Sequence, residues 1–383
     1  MNRIEKLIAE LCPEGVEWKT LGEVADYSDT RVDASNLNDD SFVGVDNLLS
    51  NKKGKSIAKY LPNTAKLTAY KKGDVLLGNI RPYLKKIWLA DDDGGCSGDV
   101  LAIRIVKKFT SNISSEYLYY LLSSDSFFAY NMQHSKGAKM PRGSKSAILG
   151  YEIPLPPLAI QQEIVDILDK FTLLEAELEA ELEARKKQYE FYREQLLASD
   201  GGEIRRVKLG ELFELRAGKF ISASKIFPKA NDEHAVPCFG GGGLRGYVST
   251  ANQCGDRVLI GRQGALCGNV KRINGEFYAT EHSVVVSPRD NVDIRWGFHL
   301  LTNMNLNQYA SKSAQPGLAV ATISQLEIEV PLLEKQQRIG SILDKFDALV
   351  NDISIGLPAE IAARRKQYEY YREKLLTFKR KEA

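Results

Sequence analysis

The chain has 383 residues, of which 43% are hydrophobic and 27% charged, with a formal net charge of +2. That is ordinary for a globular protein and long enough for two or more domains, each with its own core. No apolar run approaches the roughly 20 residues needed to cross a bilayer, and five cysteines (Cys12, Cys96, Cys238, Cys254 and Cys267) form an odd set without tight spacing, which suits reduced thiols better than a disulfide framework.

The N-terminal stretch MNRIEKLIAELCPEG mixes acids with apolar residues and does not read as a signal peptide. A cytoplasmic location, with no membrane partner, is the resulting expectation. Near-neutral charge conceals an uneven distribution. Residues 1–150 and 203–329 each carry a net +3, residues 159–200 carry −6, and residues 330–383 carry +3. Mild basicity permits DNA binding without demanding it. Opposite signs on the two segments 159–200 and 330–383 suit their pairing with each other.

In chain order, the first module opens with Lys19-Thr20-Leu21-Gly22-Glu23. Asp74–Gly78 and Val100–Ile105 follow as short aliphatic runs and read as strands with tight turns. Glu116–Leu122 is helical, and Ser135–Lys145 is a basic, glycine-containing loop. From Ile160 through Ile164, Ile167, Phe171, Leu174, Leu178 and Leu182, apolar residues recur at steps of three or four, and Tyr189, Tyr192 and Leu196 extend the stripe. That spacing predicts one helix, started by Pro156-Pro157 and stopped at Asp200-Gly201-Gly202. About 40 residues give a rod of roughly 60 Å, which should pair along its length as a coiled coil.

The second module repeats the plan with different loops. It opens with Val207-Lys208-Leu209-Gly210-Glu211, has strand-like runs at Arg257–Gly261 and Ser283–Ser287, a helical stretch at Arg295–Leu301, and a loop at Ser311–Gly317 matching the first basic loop. A second stripe follows: Ile339, Ile342, Phe346, Leu349 and Ile353. It then meets Gly356-Leu357-Pro358, which should break or kink the helix. Shared framework with diverged loops is the pattern of one scaffold carrying two recognition surfaces.

The repeats are explicit. IPLPPLAIQQEIVDILDKF, ending at Phe171, returns as IEVPLLEKQQRIGSILDKF, ending at Phe346; KQYEFYREQLL (187–197) returns as KQYEYYREKLL (366–376). Two unlike modules alternating with two repeated helices, each led by a QQ…ILDKF block, resemble the specificity (S) subunit of type I restriction–modification systems over essentially the whole chain. The resemblance implies an α+β protein: target recognition domains at 1–155 and 201–330, and spacer helices at 156–200 and 331–383, the latter broken near Gly356–Pro358. The helices would pair as an antiparallel coiled coil with pseudo-twofold symmetry. Each domain would read one half of a bipartite double-stranded DNA target, with the coiled coil setting the gap. Two methyltransferase subunits would dock on the helices and methylate adenine, and restriction subunits would join them. S-adenosylmethionine, ATP and Mg²⁺ would belong to those partners, with no cofactor bound by this chain.

The residues also point away from chemistry in this chain. There is no G-x-x-x-x-G-K-[ST] phosphate loop and no Asn-Pro-Pro-Tyr tetrapeptide of an adenine methyltransferase, and only four histidines are present, so no catalytic residue is expected. Gly240–Gly243 lacks the context of a nucleotide site and reads as a mobile loop. Cys238, Cys254, Cys267 and His282 lack zinc-site spacing, so no metal is expected. A self-contained restriction enzyme would need nuclease and methyltransferase motifs; a coiled-coil scaffold without a DNA role would show no salt-dependent DNA binding.

Base edges are read by Arg, Lys, Asn and Gln, and phosphates by Lys and Arg. The candidate DNA contacts in the first module are Asn79, Arg81 and Lys85 after the strand, and Lys136, Lys139, Arg142 and Lys145 in the basic loop. In the second they are Lys219, Arg245, Arg262, Gln263, Lys312 and Gln315. Lys52, Lys53 and Lys55 read as a solvated turn. Tyr117, Tyr119, Trp296 and Phe298 read as core. Candidate coiled-coil or partner-docking positions are Ile164, Phe171, Leu178, Tyr189 and Tyr192 in the first helix, and Ile339, Phe346, Ile353, Tyr368 and Tyr371 in the second. The tyrosine pairs serve either inter-helix packing or methyltransferase docking, since both need an apolar face.

Overall fold

Alternating aliphatic side chains build the centre of each module, because successive strand residues face opposite sides. In a computed structural model, which describes residues 3–198, 205–313 and 315–382, the strand Val75–Gly78 sends Val75 and Leu77 into one apolar cluster and Leu76 into another. Its counterpart Arg257–Gly261 does the same, with Val258 and Ile260 on one side and Leu259 on the other. Each strand is central in an antiparallel four-stranded sheet. The first sheet has the order Ala25–Tyr27, Val100–Ile105, Val75–Gly78, Ile87–Leu89; the second has Phe213–Ala217, Ser283–Pro288, Arg257–Gly261, Val270–Ile273. The two sheets thus share one topology.

A second sheet, four-stranded in the first module and three-stranded in the second, completes each module and ends in a parallel pair, Phe42–Val43 with Gly94–Cys96 in the first and Val236–Gly240 with Tyr278–Ala279 in the second. A two-stranded ribbon joins the ends of each module. Glu17–Thr20 pairs with Glu152–Leu155, and Arg205–Lys208 pairs with Glu327–Val330. The one-turn helix after each first ribbon strand matches too, Leu21–Val24 and Leu209–Leu212. Thr20 and Glu23 close the first of these, with the Thr20 amide donating to Glu23 Oε2 at 2.7 Å; this is a capping box.

Pro156-Pro157 leads into a helix spanning Leu158–Leu197, and later helices span Leu333–Asn351 and Leu357–Leu376. The expected stop at Asp200-Gly201-Gly202 lies outside the described residues. The interruption at 352–356 is a turn in which the Gly356 amide donates to Asp352 O at 3.0 Å. A Cβ on Gly356 would collide with Ala348 O, so glycine is required there. This turn corrects the place given to Ile353, which is off the helix and 84% exposed. Leu357, only 8% exposed, turns inward instead to start the next helix.

By their contacts the residues fall into two units, Met1–Glu177 with Ala362–Ala383, and Leu178–Ile361. Each unit holds one module, one ILDKF block and the KQYE block of the other repeat. In the first, Phe171 stacks between Tyr368 and Tyr371, at 5.8 Å from each ring. In the second, Phe346 stacks on Tyr189 at 6.4 Å and Tyr192 at 5.4 Å. Glu175 meets Arg365 while Thr172 meets Tyr368, so the paired segments run antiparallel. The tyrosines therefore pack between helices, and Tyr192 and Tyr371 keep an exposed edge at 39% and 38%. Ile164 and Ile339 are core residues, whereas Leu178 is half-buried and belongs to neither module's cluster.

The first glutamine of each QQ pair is buried and holds its module to its helix. Gln161 Oε1 accepts from the Ser114 amide at 3.0 Å, and its Nε2 donates to Asn112 O and Pro156 O, both at 2.7 Å. Gln336 Oε1 accepts from the Asp293 amide at 3.0 Å and its Nε2 donates to Pro331 O at 2.9 Å. Ser114 and Asp293 are the N-caps of the equivalent helices Ser115–Leu122 and Ile294–Asn303. Six residues beyond each N-cap, Tyr120 donates to Asp169 and His299 Nε2 lies 2.8 Å from Asp344. Burial lowers the His299 pKa despite that carboxylate.

The repeats are not interchangeable at one contact. Val165 is buried in the first ILDKF block, but its counterpart Gly340 meets the helix at Trp296, where a Cβ would lie 2.9 Å from the Trp296 amide nitrogen and 2.9 Å from Arg295 Cβ. Gly340→Val is therefore expected to destabilise the second unit by about 2 kcal/mol or more, although the first repeat carries valine there. An unchanged urea midpoint would refute the close approach.

Candidate nucleic-acid interface

Backbone hydrogen bonds join candidate segments that lie far apart in the chain. In the first module the Arg81 amide donates to Pro141 O at 2.7 Å and the Gly143 amide to Asn79 O at 3.2 Å, while Lys136 and Arg142 exchange two bonds of 2.9 Å. The strand end and the basic loop are thus one surface. Arg81, Lys136, Lys139, Arg142 and Lys145 are exposed on it. Arg142 reaches Asp99 at 3.1 Å, and the Lys145 amine lies 5.7 Å over the Tyr27 ring.

Two residues expected on this surface are diverted. Asn79 is buried, and its Oδ1 and both amide atoms of Asn131 have no hydrogen-bond partner. A Cβ on Gly143 would lie 2.5 Å from Asn131 Oδ1 and 2.8 Å from Asn79 Oδ1, so the glycine lets the loop sit against these amides. Asn79 therefore positions the loop, because its strand register turns the side chain inward. Lys85 donates to Asp125 Oδ1 at 2.8 Å, and Lys52 binds the same oxygen at 3.1 Å. Arg372 Nη2 lies 3.5 Å from that oxygen. Burial would raise the Asp125 pKa, but these cations hold it at about 2. Lys52 is thus no part of a solvated turn, and burial, followed by the Arg372 charge, lowers its own pKa. Lys55 is also engaged, on Asp40 at 2.8 Å and over the Trp88 ring.

The turn carrying Arg81 and Lys85 is strained. Both lie in the left-handed region, with φ of 52° and 50°, as do Asn51 and Lys52 at 59° and 63°. Each non-glycine residue there costs about 1 kcal/mol or more. The Asn51 and Lys52 amides donate to Leu84 O and Lys85 O, both at 2.9 Å, which holds the two turns together and leaves Tyr83 50% exposed between Arg81 and Lys85.

The second module makes the same joint with other residues. The Gly264 amide donates to Pro316 O at 3.0 Å and the Leu318 amide to Arg262 O at 2.9 Å. The Arg262 amide bonds His282 O at 2.8 Å and the Lys219 amide bonds Ala279 O at 2.9 Å. Lys219, Arg245, Gln263, Lys312 and Gln315 are exposed, and Arg262 is half-buried. Gly240–Gly243 is no loose loop but a tight hairpin, with Gly240 opposite Gly243. Its turn packs where a Cβ on Gly241 would lie 2.8 Å from Gln263 O and 2.9 Å from His282 O, which brings Arg245 to the same surface. His282, which the sequence offers only as a metal ligand without zinc-site spacing, sits on this surface with its imidazole in contact with Gln263 and Glu281. Pairing across a strand end carries no local sequence signal. Burial raises the Cys238 and Cys267 thiol pKa values. Tyr117 and Trp296 are core at 0% and 1% exposure.

Comparison with known proteins gives one family. A model for the type I restriction modification DNA specificity domain matches residues 13–184 and again 202–363. The EcoprrI type I restriction enzyme specificity subunit of Escherichia coli is 54% identical over 207 residues, 52% of this chain and 52% of that protein, so this match spans about half the relative's length. The EcoR124I/EcoR124II specificity subunit of Escherichia coli is 30% identical over 416 residues, 100% of this chain and 98% of the relative. Among solved structures, the type I S subunit from M. genitalium gives a TM-score of 0.60 at 15% identity, over 94% of this chain and 96% of that one. A chain from a study of type I R-M complex assembly and conformational transition gives 0.65 at 21% identity, over 96% and 98%. These two likenesses concern the fold.

Proposed function

The chain belongs to the type I restriction–modification DNA specificity family, and from that premise we propose that each of its modules reads one half of a split double-stranded DNA target. It is a non-catalytic subunit that recognises DNA sequence. The observation that carries the half-site reading is the duplicated unit. One framework recurs, with the same sheet order, the same buried glutamine and the same crosswise tyrosine packing. At the matching place each unit presents a different set of polar side chains. A shared scaffold with unlike surfaces suits two unlike half-sites.

In this reading the long helices fix the unread gap and dock two methyltransferase subunits that methylate adenine, with restriction subunits joining them. S-adenosylmethionine, ATP and Mg²⁺ act in those partners. Among the described residues no helix is long and apolar enough to cross a membrane, and the subunit works in the cytoplasm on its DNA.

The test is co-expression with the cognate methyltransferase subunit in a methylation-free host and genome-wide mapping of N6-methyladenine. Two short specific blocks around a fixed gap are expected. A stable complex that deposits no methyl groups would sink the reading.

A further inference from the structure

Asp125 is surrounded by more positive charge than it can neutralise. Lys52, Lys85 and Arg372 all approach its Oδ1, at 3.1, 2.8 and 3.5 Å. One carboxylate against three cations leaves an excess of two positive charges. Arg372 is 1% exposed, and its Nε and Nη2 have no hydrogen-bond partner; its guanidinium lies 5.2 Å over the Tyr368 ring. A buried guanidinium cannot shed its proton, and uncompensated buried charge is unfavourable. The site opens on the lysine side, where the Lys52 and Lys85 side chains are 15% and 33% exposed. The equivalent arginine of the other repeat, Arg193, donates from Nε to Asn303 Oδ1 at 3.4 Å instead, so the cluster is peculiar to the first unit.

We propose that Lys52, Lys85 and Arg372 form an anion site that seats a backbone phosphate of DNA beside the first half-site. The inference rests on the half-site reading above. Phosphate is favoured over an acidic protein group because Lys85 shares its strained turn with exposed Arg81, which is bonded to the basic loop at Pro141. The lysines at the mouth contact the phosphate, and Arg372 at the floor supplies field without contact. Because like charges are crowded together, removing one lysine relieves repulsion in the free subunit while weakening DNA binding. An ordinary internal ion pair behaves in the opposite way.

The test uses the full chain in complex with its methyltransferase subunits, comparing wild type with Lys52→Met and Lys85→Met. Binding is titrated against salt on a duplex bearing the mapped motif and on one lacking it. Each variant is expected to lower the slope of log K against log salt by about one. Affinity should fall by the same factor on both duplexes, the methylated motif should not change, and the DNA-free thermal midpoint should hold or rise. Inorganic phosphate should raise the wild-type midpoint more than that of the double variant. An unchanged salt slope with a lowered midpoint would overturn the proposal in favour of a structural ion pair. Loss of methyltransferase subunits from the variant complex would overturn it in favour of an acidic protein group. A wild-type complex with no split motif defeats the half-site reading itself, and that is measured first.

Discussion

Gln161→Leu is expected to destabilise the first unit by roughly 3–5 kcal/mol. Gln336→Leu should do the same to the second by roughly 2–4 kcal/mol. Both side chains are fully buried, at 0% and 1% exposure. Leucine fills the volume but makes no hydrogen bond. The Ser114 amide and the Asn112 and Pro156 carbonyls, or the Asp293 amide and the Pro331 carbonyl, then lose a partner; the Pro156 bond is buried and the others are part-buried. That desolvation penalty, rather than the net strength of the bonds, makes the effect large. The neighbouring Gln162 and Gln337 are exposed, so leucine there should shift stability by less than about 0.5 kcal/mol. Urea unfolding of the four variants measures the difference, and equal losses at both members of a pair would refute the tether.

Exchanging residues 17–155 for the module of another family member is expected to replace one half of the methylated sequence completely and leave the other half and the gap intact. The structure sets those limits. Glu17–Thr20 pairs with Glu152–Leu155, with Trp18 opposite Pro154, so an exchange ending at residue 150 would give the ribbon one native and one foreign strand. The helix Arg3–Leu11 stays with its own chain because Ile4 belongs to the same core as Ile160, Ile164 and Leu376, and Arg3 bonds Glu163 at 3.0 Å. Methylome mapping reads the result. A change in both halves would show that the modules do not read independently, whereas loss of all methylation with an intact complex would show that the graft disturbs the framework.

Much of the fold was legible because its signals are local. A helix face repeats every three or four residues and a strand face every two, so Ile160 to Leu182, Val75–Gly78 and Arg257–Gly261 declare themselves without any partner. Duplication was equally plain, since QQ…ILDKF and KQYE recur almost letter for letter. The candidate site was legible only as residue types. Arg81 and Lys136–Arg142 could be named as polar groups in loops, but their union depends on the Arg81 amide finding Pro141 O, 60 positions away.

The sequence by itself determined two modules on one scaffold, the helices between them and the family they belong to, because periodicity and repetition are properties of the chain alone. Only the tertiary structure decided which surface each side chain meets. It turned Asn79 inward and Ile353 outward, placed one glutamine of each pair in the core and the other in solvent, and paired each ILDKF phenylalanine with the tyrosines of the other repeat. It also drew Lys52, Lys85 and Arg372 onto a single oxygen. Such outcomes depend on which distant segment arrives at a given face, and burial, charge pairing and packing act only after it has arrived.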